Sequence, residues 1–321
     1  MRRRDFLVTA GAATLCAPAV RAQQALGDVM QDLPRINTLQ ILRGDDVVLA
    51  DSRRAGGLDR VANIKSCSKS VLGLLLGAAV ARGEVALDTT LGEAAPGLIP
   101  ADATEGVAAI TMEDLVTLRA GLAPTSGANY GAWVASPDWV AYVLRQPMVD
   151  RPGGRMIYST GSSHVLGAAL AEVTGQSLLS QARERIGRPM GLDVSPWTQD
   201  PQGRYLGGNN MGLTPRGMLD IAVTMRDGGL FEARQVVAAD WVRASARPRT
   251  QSPWSGMDYG YGWFLTDSGY MLARGYGGQV IAAHPARGLA VALTSDPTQP
   301  ARSNGYFGEI MRLLNGPILA A

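Results

Sequence analysis

Ser66 and Lys69 are spaced so that a hydroxyl and an amine could share a proton. They lie three residues apart in Ile64-Lys65-Ser66-Cys67-Ser68-Lys69, at the mouth of an apolar run from Val71 to Val80 that stops at Arg82-Gly83. In a helix, side chains at i and i+3 leave roughly 5–6 Å between their Cβ atoms, close enough for the two groups to meet. Of the 30 Lys and Arg residues only two are Lys, at positions 65 and 69. A guanidinium keeps its proton inside a protein, whereas a buried amine can lose it near neutral pH, so the retained lysines point to acid–base work. The S-x-x-K spacing alone often arises by chance. A capping Ser beside a snorkelling Lys would look the same.

A Ser nucleophile also needs a base, a stabiliser for the oxyanion and room for substrate. His164 and His284 are the only histidines. A Ser-His-Asp triad stays open, although no G-x-S-x-G elbow presents a Ser. Two separated His and one Cys after residue 22 argue against a zinc site. A Lys amine paired with a Tyr is the better base, because burial lowers the amine and an adjacent ammonium can stabilise a phenolate. Tyr158 follows a Pro-Gly-Gly turn and precedes a helical pattern, which leaves it at a loop tip, but it is one of nine tyrosines. Gly275-Tyr276-Gly277-Gly278-Gln279 is glycine-rich for a strand. Such glycines mark either a bulge or a place where a ligand's backbone comes close, and a main-chain N–H there could face an oxyanion.

The elements that must position these groups read as follows. Residues 66 to 80 are apolar on every face of the 3.6-residue period, which predicts a helix buried all round, with Ser66 and Lys69 in its first turn. Strands at Leu39 to Arg43 and Val47 to Asp51 form a hairpin before it. Helices are predicted from Met112 to Arg119, capped by Thr111 with Asp114 closing the box, from Ser136-Pro137 through Leu144, from Gly161 to Thr174, from Leu178 to Ile186, from Thr214-Pro215 through Met225, and from Ala238 to Ala244. The period then changes to two: Tyr259 to Thr266, Tyr270 to Arg274, Tyr276 to His284 and Gly288 to Ser295 read as strands, followed by a helix near Asn304 to Leu314. Strands at both ends with helices between predict an α+β fold. One antiparallel sheet is built from about 33–80 and 226–321, with a mostly helical subdomain inserted at about 81–225. The uncharged loop from Leu122 to Val134 carries Tyr130 and Trp133, which are candidates for the substrate pocket or for packing of the subdomain.

Residues 1–22 read as a signal peptide of the twin-arginine (Tat) type: Arg2, Arg3 and Arg4, a short apolar stretch, and a small-residue cleavage site after Ala22. The expected mature protein, 23–321, is exported, placed in the periplasm, and free of any stable membrane insertion. It retains one cysteine, Cys67, so no internal disulfide is possible. A net charge of +2 with scattered charges argues against a nucleic-acid surface.

Taken together, the three motifs resemble those of the serine hydrolases related to class C β-lactamases and D-alanyl-D-alanine carboxypeptidases. Ser66 to Lys69 resembles the S-x-x-K box, Tyr158-Ser159-Thr160 the Y-x-N box, and Tyr276-Gly277-Gly278 the third box. Gly-Tyr-Gly-Gly-Gln is most similar to the esterase and 6-aminohexanoate-dimer hydrolase branch. The resemblance implies the β-lactamase/penicillin-binding-protein fold, an acyl-enzyme on Ser66, and Lys69 with Tyr158 as the proton-transfer pair. It also implies an oxyanion hole from the main-chain N–H groups of Ser66 and Gln279, and no metal or organic cofactor. Thr160 and Tyr276, with Gly277 and Gly278, join Tyr130 and Trp133 as pocket candidates. Thr160 stands where the family has Asn, and Tyr276 where it has Lys or His. Loss of that amide and that cation favours small neutral esters or linear amides. A D,D-peptidase or weak β-lactamase, and a non-catalytic sensor of the same fold, are the alternatives.

Overall fold

The computed structural model describes Leu26 and residues 29–321; the predicted signal peptide, 1–22, lies outside the described residues. Eight strands form one antiparallel sheet. They are β1 (Ile36–Arg43), β2 (Asp46–Ser52), β3 (Thr250–Gln251), β4 (Asp258–Tyr259), β5 (Phe264–Leu265), β6 (Met271–Gly275), β7 (Gln279–His284) and β8 (Leu289–Ser295), in the spatial order β2-β1-β8-β7-β6-β5-β4-β3. The N-terminal hairpin therefore joins strands from the far end of the chain, as the change of hydrophobic period implied. The stretch expected as one strand from Tyr259 to Thr266 is two short strands instead, β4 and β5, folded on each other about Gly260–Gly262.

The two faces of the sheet differ in side-chain size. Leu39, Ile41, Val280, Leu289, Val291 and Leu293 face a cluster closed by Phe307 and Ile310, whereas Ala273, Ala283, Ala290 and Ala292 face the helices. Small residues let a helix come close to a sheet, as the helix Pro215–Arg226 does against β7 and β8, while the sheet strand met by α1 (Ser68–Ala81) is β6. Helix α1 is buried along nearly its whole length, and Gly77 lies so tightly under the Trp241 ring that a Cβ there would come within 2.5 Å of it. The N-terminus begins later than expected: Lys65–Cys67 is a 3₁₀ turn, so Ser66 precedes the α-helix proper.

Between the sheet strands the chain forms α2 (Thr160–Thr174), capped by Ser159, and α3 (Pro215–Arg226), capped by Thr214. α3 packs on β7 and β8, so the sheet layer claims a helix assigned by sequence to the inserted part. The helix expected from Met112 to Arg119 ends at Val116, because Leu118 takes a left-handed conformation (φ 60°). That turn is used: the carbonyl of Leu118 accepts from the N–H of Ile157 at 2.8 Å, and Arg119 and Gly153 bond each other's backbone, which fixes the segment leading to Tyr158. The Thr111–Asp114 capping box is present, while the helix after Ser136-Pro137 is capped by Asp138 and spans Trp139–Leu144. Among the described residues no helix is long and apolar enough to cross a membrane.

Candidate functional site

Ser66 reaches its place through a strained entry. Lys65, just before it, has φ 51°, a left-handed conformation that costs a side-chain-bearing residue energy unless its surroundings impose it. Those surroundings are visible: the Lys65 N–H donates to Asn63 Oδ1 at 2.9 Å, and the Ser68 hydroxyl donates to the Lys65 carbonyl at 2.6 Å. Ser66 is thereby left part-exposed at the floor of a cleft of about 1040 Å³.

Lys69 is 4 % exposed and donates to three oxygens: Gly208 O at 2.8 Å, Thr160 Oγ1 at 3.2 Å and Ser66 Oγ at 3.4 Å. Among the described residues no carboxylate pairs with it. Burial pulls the ammonium down to about 7, so near neutral pH the amine is available as a proton acceptor. A neutral amine has two hydrogens and one lone pair. If the hydrogens go to Gly208 and Thr160, the lone pair faces Ser66.

Tyr158 completes the group. Its ring centroid is 4.9 Å from Lys69 Nζ. Burial pushes its phenol up to about 12, and a hydrogen bond with Ser66 only partly offsets that. The raised phenol speaks against the expected phenolate: the arrangement suits Lys69 to accept a proton and Tyr158 to remain a neutral hydroxyl. Thr160, on the first turn of α2, is no empty replacement. Its N–H donates to Ser126 Oγ at 2.8 Å, and its hydroxyl joins Lys69 to Ser126, which lies 3.0 Å away. Thr125 binds Ser159 and Gly161 in the same way, lashing the 122–134 loop to α2.

The other sequence candidates separate. Tyr276 is exposed at the cleft wall beside Gly275. Gln279 is buried and absent from that wall; its side chain bonds the Ser295 backbone, and its carbonyl faces the Cys67 thiol. Gly277 and Gly278 form the turn beyond Tyr276, against Asp296, Pro297 and Tyr306. Trp133 is fully buried, packed at a tilt against Trp139 and His164 with its indole N–H on the Trp139 carbonyl, so it packs the subdomain. Tyr130 lies edge-on to Trp133, and its hydroxyl accepts from Asn209, beside Gly208. The Cys67 thiol is pushed far up by burial and stays protonated. His284 bonds the Ser268 carbonyl, and His164 bonds Asp200, so each histidine's ring is engaged elsewhere.

Sequence reasoning missed Gly208, Ser126, Trp254 and Arg274. The Gly207-Gly208-Asn209-Asn210 run was the available signal for the first. Gly208 has φ +81°, and a Cβ there would lie 2.9 Å from Lys69 Cγ and 2.6 Å from Ser163 Cβ, so only glycine lets this carbonyl approach the amine. Arg274 corrects a larger expectation. Although Tyr276 is no cation, Arg274 on β6 brings one to the cleft wall, held by Ser303 Oγ and the Ala301 carbonyl and stacked on Phe307. Burial pulls it down to about 10, which leaves it charged at neutral pH. Among the described residues it pairs with no carboxylate, and the cleft lining contains three Arg and no acid. No cluster of three or more His, Cys, Asp or Glu that could hold a metal occurs among the described residues.

A family model described as Beta-lactamase matches residues 38–307. No curated protein matches the chain. Among solved structures, EstCE1, a hydrolase with promiscuous acyltransferase activity, is similar with a TM-score of 0.76 at 17% identity, covering 94% of this chain and 98% of that one. A putative 6-aminohexanoate-dimer hydrolase from Bacillus anthracis gives 0.74 at 15% identity, over 90% and 82% of the two chains. A penicillin-binding protein homologue from Caulobacter crescentus gives 0.70 at 17%, over 89% and 93%. At these identities the likeness is one of fold.

Proposed function

Because this chain belongs to the beta-lactamase family, we propose that it is a serine hydrolase that forms an acyl-enzyme on Ser66 and cleaves small carboxylic esters or linear amides. The observation that carries this reading is the convergence of Ser66 Oγ, Lys69 Nζ and Tyr158 at the floor of one cleft. Lys69, neutral, takes the proton of Ser66 as Oγ attacks the substrate carbonyl carbon. As the tetrahedral intermediate collapses, the proton passes through the Tyr158 hydroxyl to the departing alkoxide or amine. Water then attacks the acyl-enzyme, gives its proton to Lys69, and Ser66 is regenerated with that proton. The main-chain N–H of Ser66 would meet the oxyanion. For the second donor the N–H of Tyr276, at the cleft wall, is a better candidate than that of Gln279.

Export by the Tat-type leader, with cleavage after Ala22, would place this activity outside the cytoplasm. The direct test is fluorophosphonate labelling with peptide mapping, together with p-nitrophenyl acetate turnover. Label on Ser66 and loss of turnover in Ser66→Ala support the reading; full activity in that variant ends it.

One observation favours a second reading, a D,D-peptidase or weak β-lactamase. Arg274 offers a cation at the cleft wall with no carboxylate partner among the described residues, suited to the carboxylate that penicillins and D-Ala-D-Ala peptides carry. Intact mass after incubation with penicillin, nitrocefin or such a peptide decides it: an adduct or turnover supports this reading, and neither disfavours it. Binding without any turnover would point instead to a sensor of the same fold.

A further inference from the structure

Behind Lys69 lies a second polar cluster that the proposed chemistry does not touch. His164 on α2 and Asp200 both have wholly buried side chains, with Nε2 3.0 Å from Oδ2. The main-chain N–H of Gly207 donates to Nδ1 of the same ring at 3.3 Å. That donor fixes the tautomer: Nδ1 accepts, so Nε2 carries the hydrogen and gives it to Asp200. Asp200 is itself held, accepting on Oδ1 from the N–H groups of Gln202 and Arg204 at 2.9 and 2.7 Å, with the Arg204 guanidinium 3.7 Å from Oδ2. Burial works to raise its carboxyl, yet the bonds from His164 and Arg204 together hold it below the usual range, so it stays ionised.

Gly207 precedes Gly208, the residue whose carbonyl accepts from Lys69. The segment is wedged against α2: a Cβ on Gly207 would lie 2.4 Å from the Ser163 carbonyl oxygen. We propose that His164 and Asp200 are positioning residues for Lys69, the ring locking the Gly207 amide so that the next carbonyl in the chain is aimed at Nζ. The proposal rests on the reading of Lys69 as the base. With Gly208 O in place, one amine hydrogen is occupied and the lone pair is turned to Ser66. Without it, the amine can rotate and water can enter. The ionisable groups against Lys69 are Tyr158 and Cys67, both raised by burial and neutral at assay pH, so the acid limb of the rate profile reports Lys69 itself.

The test compares the mature protein with His164→Asn, His164→Leu, Asp200→Asn, Ser66→Ala and Lys69→Ala on p-nitrophenyl butyrate. The Asn amide oxygen can stand where Nδ1 stood and still accept from Gly207, whereas Leu fills the space without an acceptor. His164→Leu is expected to lower kcat about 10–100-fold, the scale of a displacement near 1 Å at a reacting group. KM should stay within about 2-fold and the acid limb should move alkaline by at least about half a unit, because water admitted beside Lys69 relieves its desolvation. His164→Asn is expected to recover most of kcat. Should His164→Leu fail to fold, Asp200→Asn, which keeps the side-chain shape, is expected to lower kcat about 10-fold with the same alkaline shift. Unchanged kcat and acid limb in the folded variants, or equal impairment of Asn and Leu as simple packing would give, overturns the proposal. Turnover that survives Ser66→Ala and Lys69→Ala removes the base, and the positioning role with it. Turnover lost in those two but indifferent at 164 and 200 overturns the positioning role alone.

Discussion

Lys69 Nζ is closer to the carbonyl oxygen of Gly208, at 2.8 Å, than to the hydroxyl of Ser66, at 3.4 Å. The shorter contact constrains the amine, and in the proposed mechanism the longer one leaves room for proton transfer when substrate arrives. Positions 69 and 208 are 139 residues apart in sequence, so the acceptor geometry depends on the segment from Gly207 to Met211 being docked on the nucleophile turn. Ser68 Oγ and the Ile64 N–H supply that docking by bonding the Met211 backbone on both sides.

The pH dependence of turnover follows from this arrangement. Lys69 must be neutral to accept a proton, and burial holds it at about 7, so kcat/KM should rise along an acid limb centred near 7. Tyr158 must keep its proton, and with its phenol at about 12 no alkaline limb should appear below pH 10. A pH-rate profile on a neutral ester checks both arms. A bell falling above pH 8 would contradict the roles assigned.

The same burial makes Lys69 a liability for folding. Its folded-state value lies below the 10.5 of the free side chain, so between about 7 and 10.5 the unfolded chain binds more protons than the native one. Stability contributed by this group therefore increases as pH rises through that window, and below it the native state carries the full cost of a buried charge. Lys69→Met should abolish turnover yet raise Tm. The gain should be largest below pH 7, on the order of a few kcal/mol at most, and shrink toward pH 10. Thermal melts of both proteins at pH 6 and pH 9.5 measure it.

Gly208→Ala should do harm in both respects. The new Cβ meets Ser163 Cβ and Lys69 Cγ and must also adopt φ +81°, so a loss of about 1–3 kcal/mol is expected. Because Lys69 is one of the atoms displaced, kcat should fall by about 100-fold in protein that remains folded. Equal kcat per folded molecule would show that the contact with Gly208 does not matter to the base.

Much of this was legible in one sequence, for reasons that differ by residue. The burial of α1 followed from apolar side chains on every face, and the mixed sheet ends followed from the change in period, because both patterns are local. Trp133 stayed open between pocket and packing because an aromatic in an uncharged loop has the same composition whether it faces a ligand or a core; here it faces the core. The family resemblance pointed to Gln279 as an oxyanion donor, whereas the turn sets Tyr276 at the cleft wall and Gln279 in the sheet. Arg274 was one of many arginines. Its place on the cleft wall depends on β6 pairing with β7, a relationship that no tetrapeptide expresses.

Trp254 gives the last expectation. It is 66% exposed, borders the cleft, and meets Tyr158 edge-on with ring centroids 6.1 Å apart. An indole left so exposed gains little for folding, and its contact with Tyr158 puts it where an acyl chain or leaving group would pass. Trp254→Ala should leave Tm within about 1–2 °C, since surface substitutions usually change stability by less than about 0.5 kcal/mol. It should raise KM several-fold for p-nitrophenyl hexanoate and little for the acetate, because only the longer chain can lie against the ring. A uniform fall in kcat for both esters would show instead that Trp254 acts by holding Tyr158 in place.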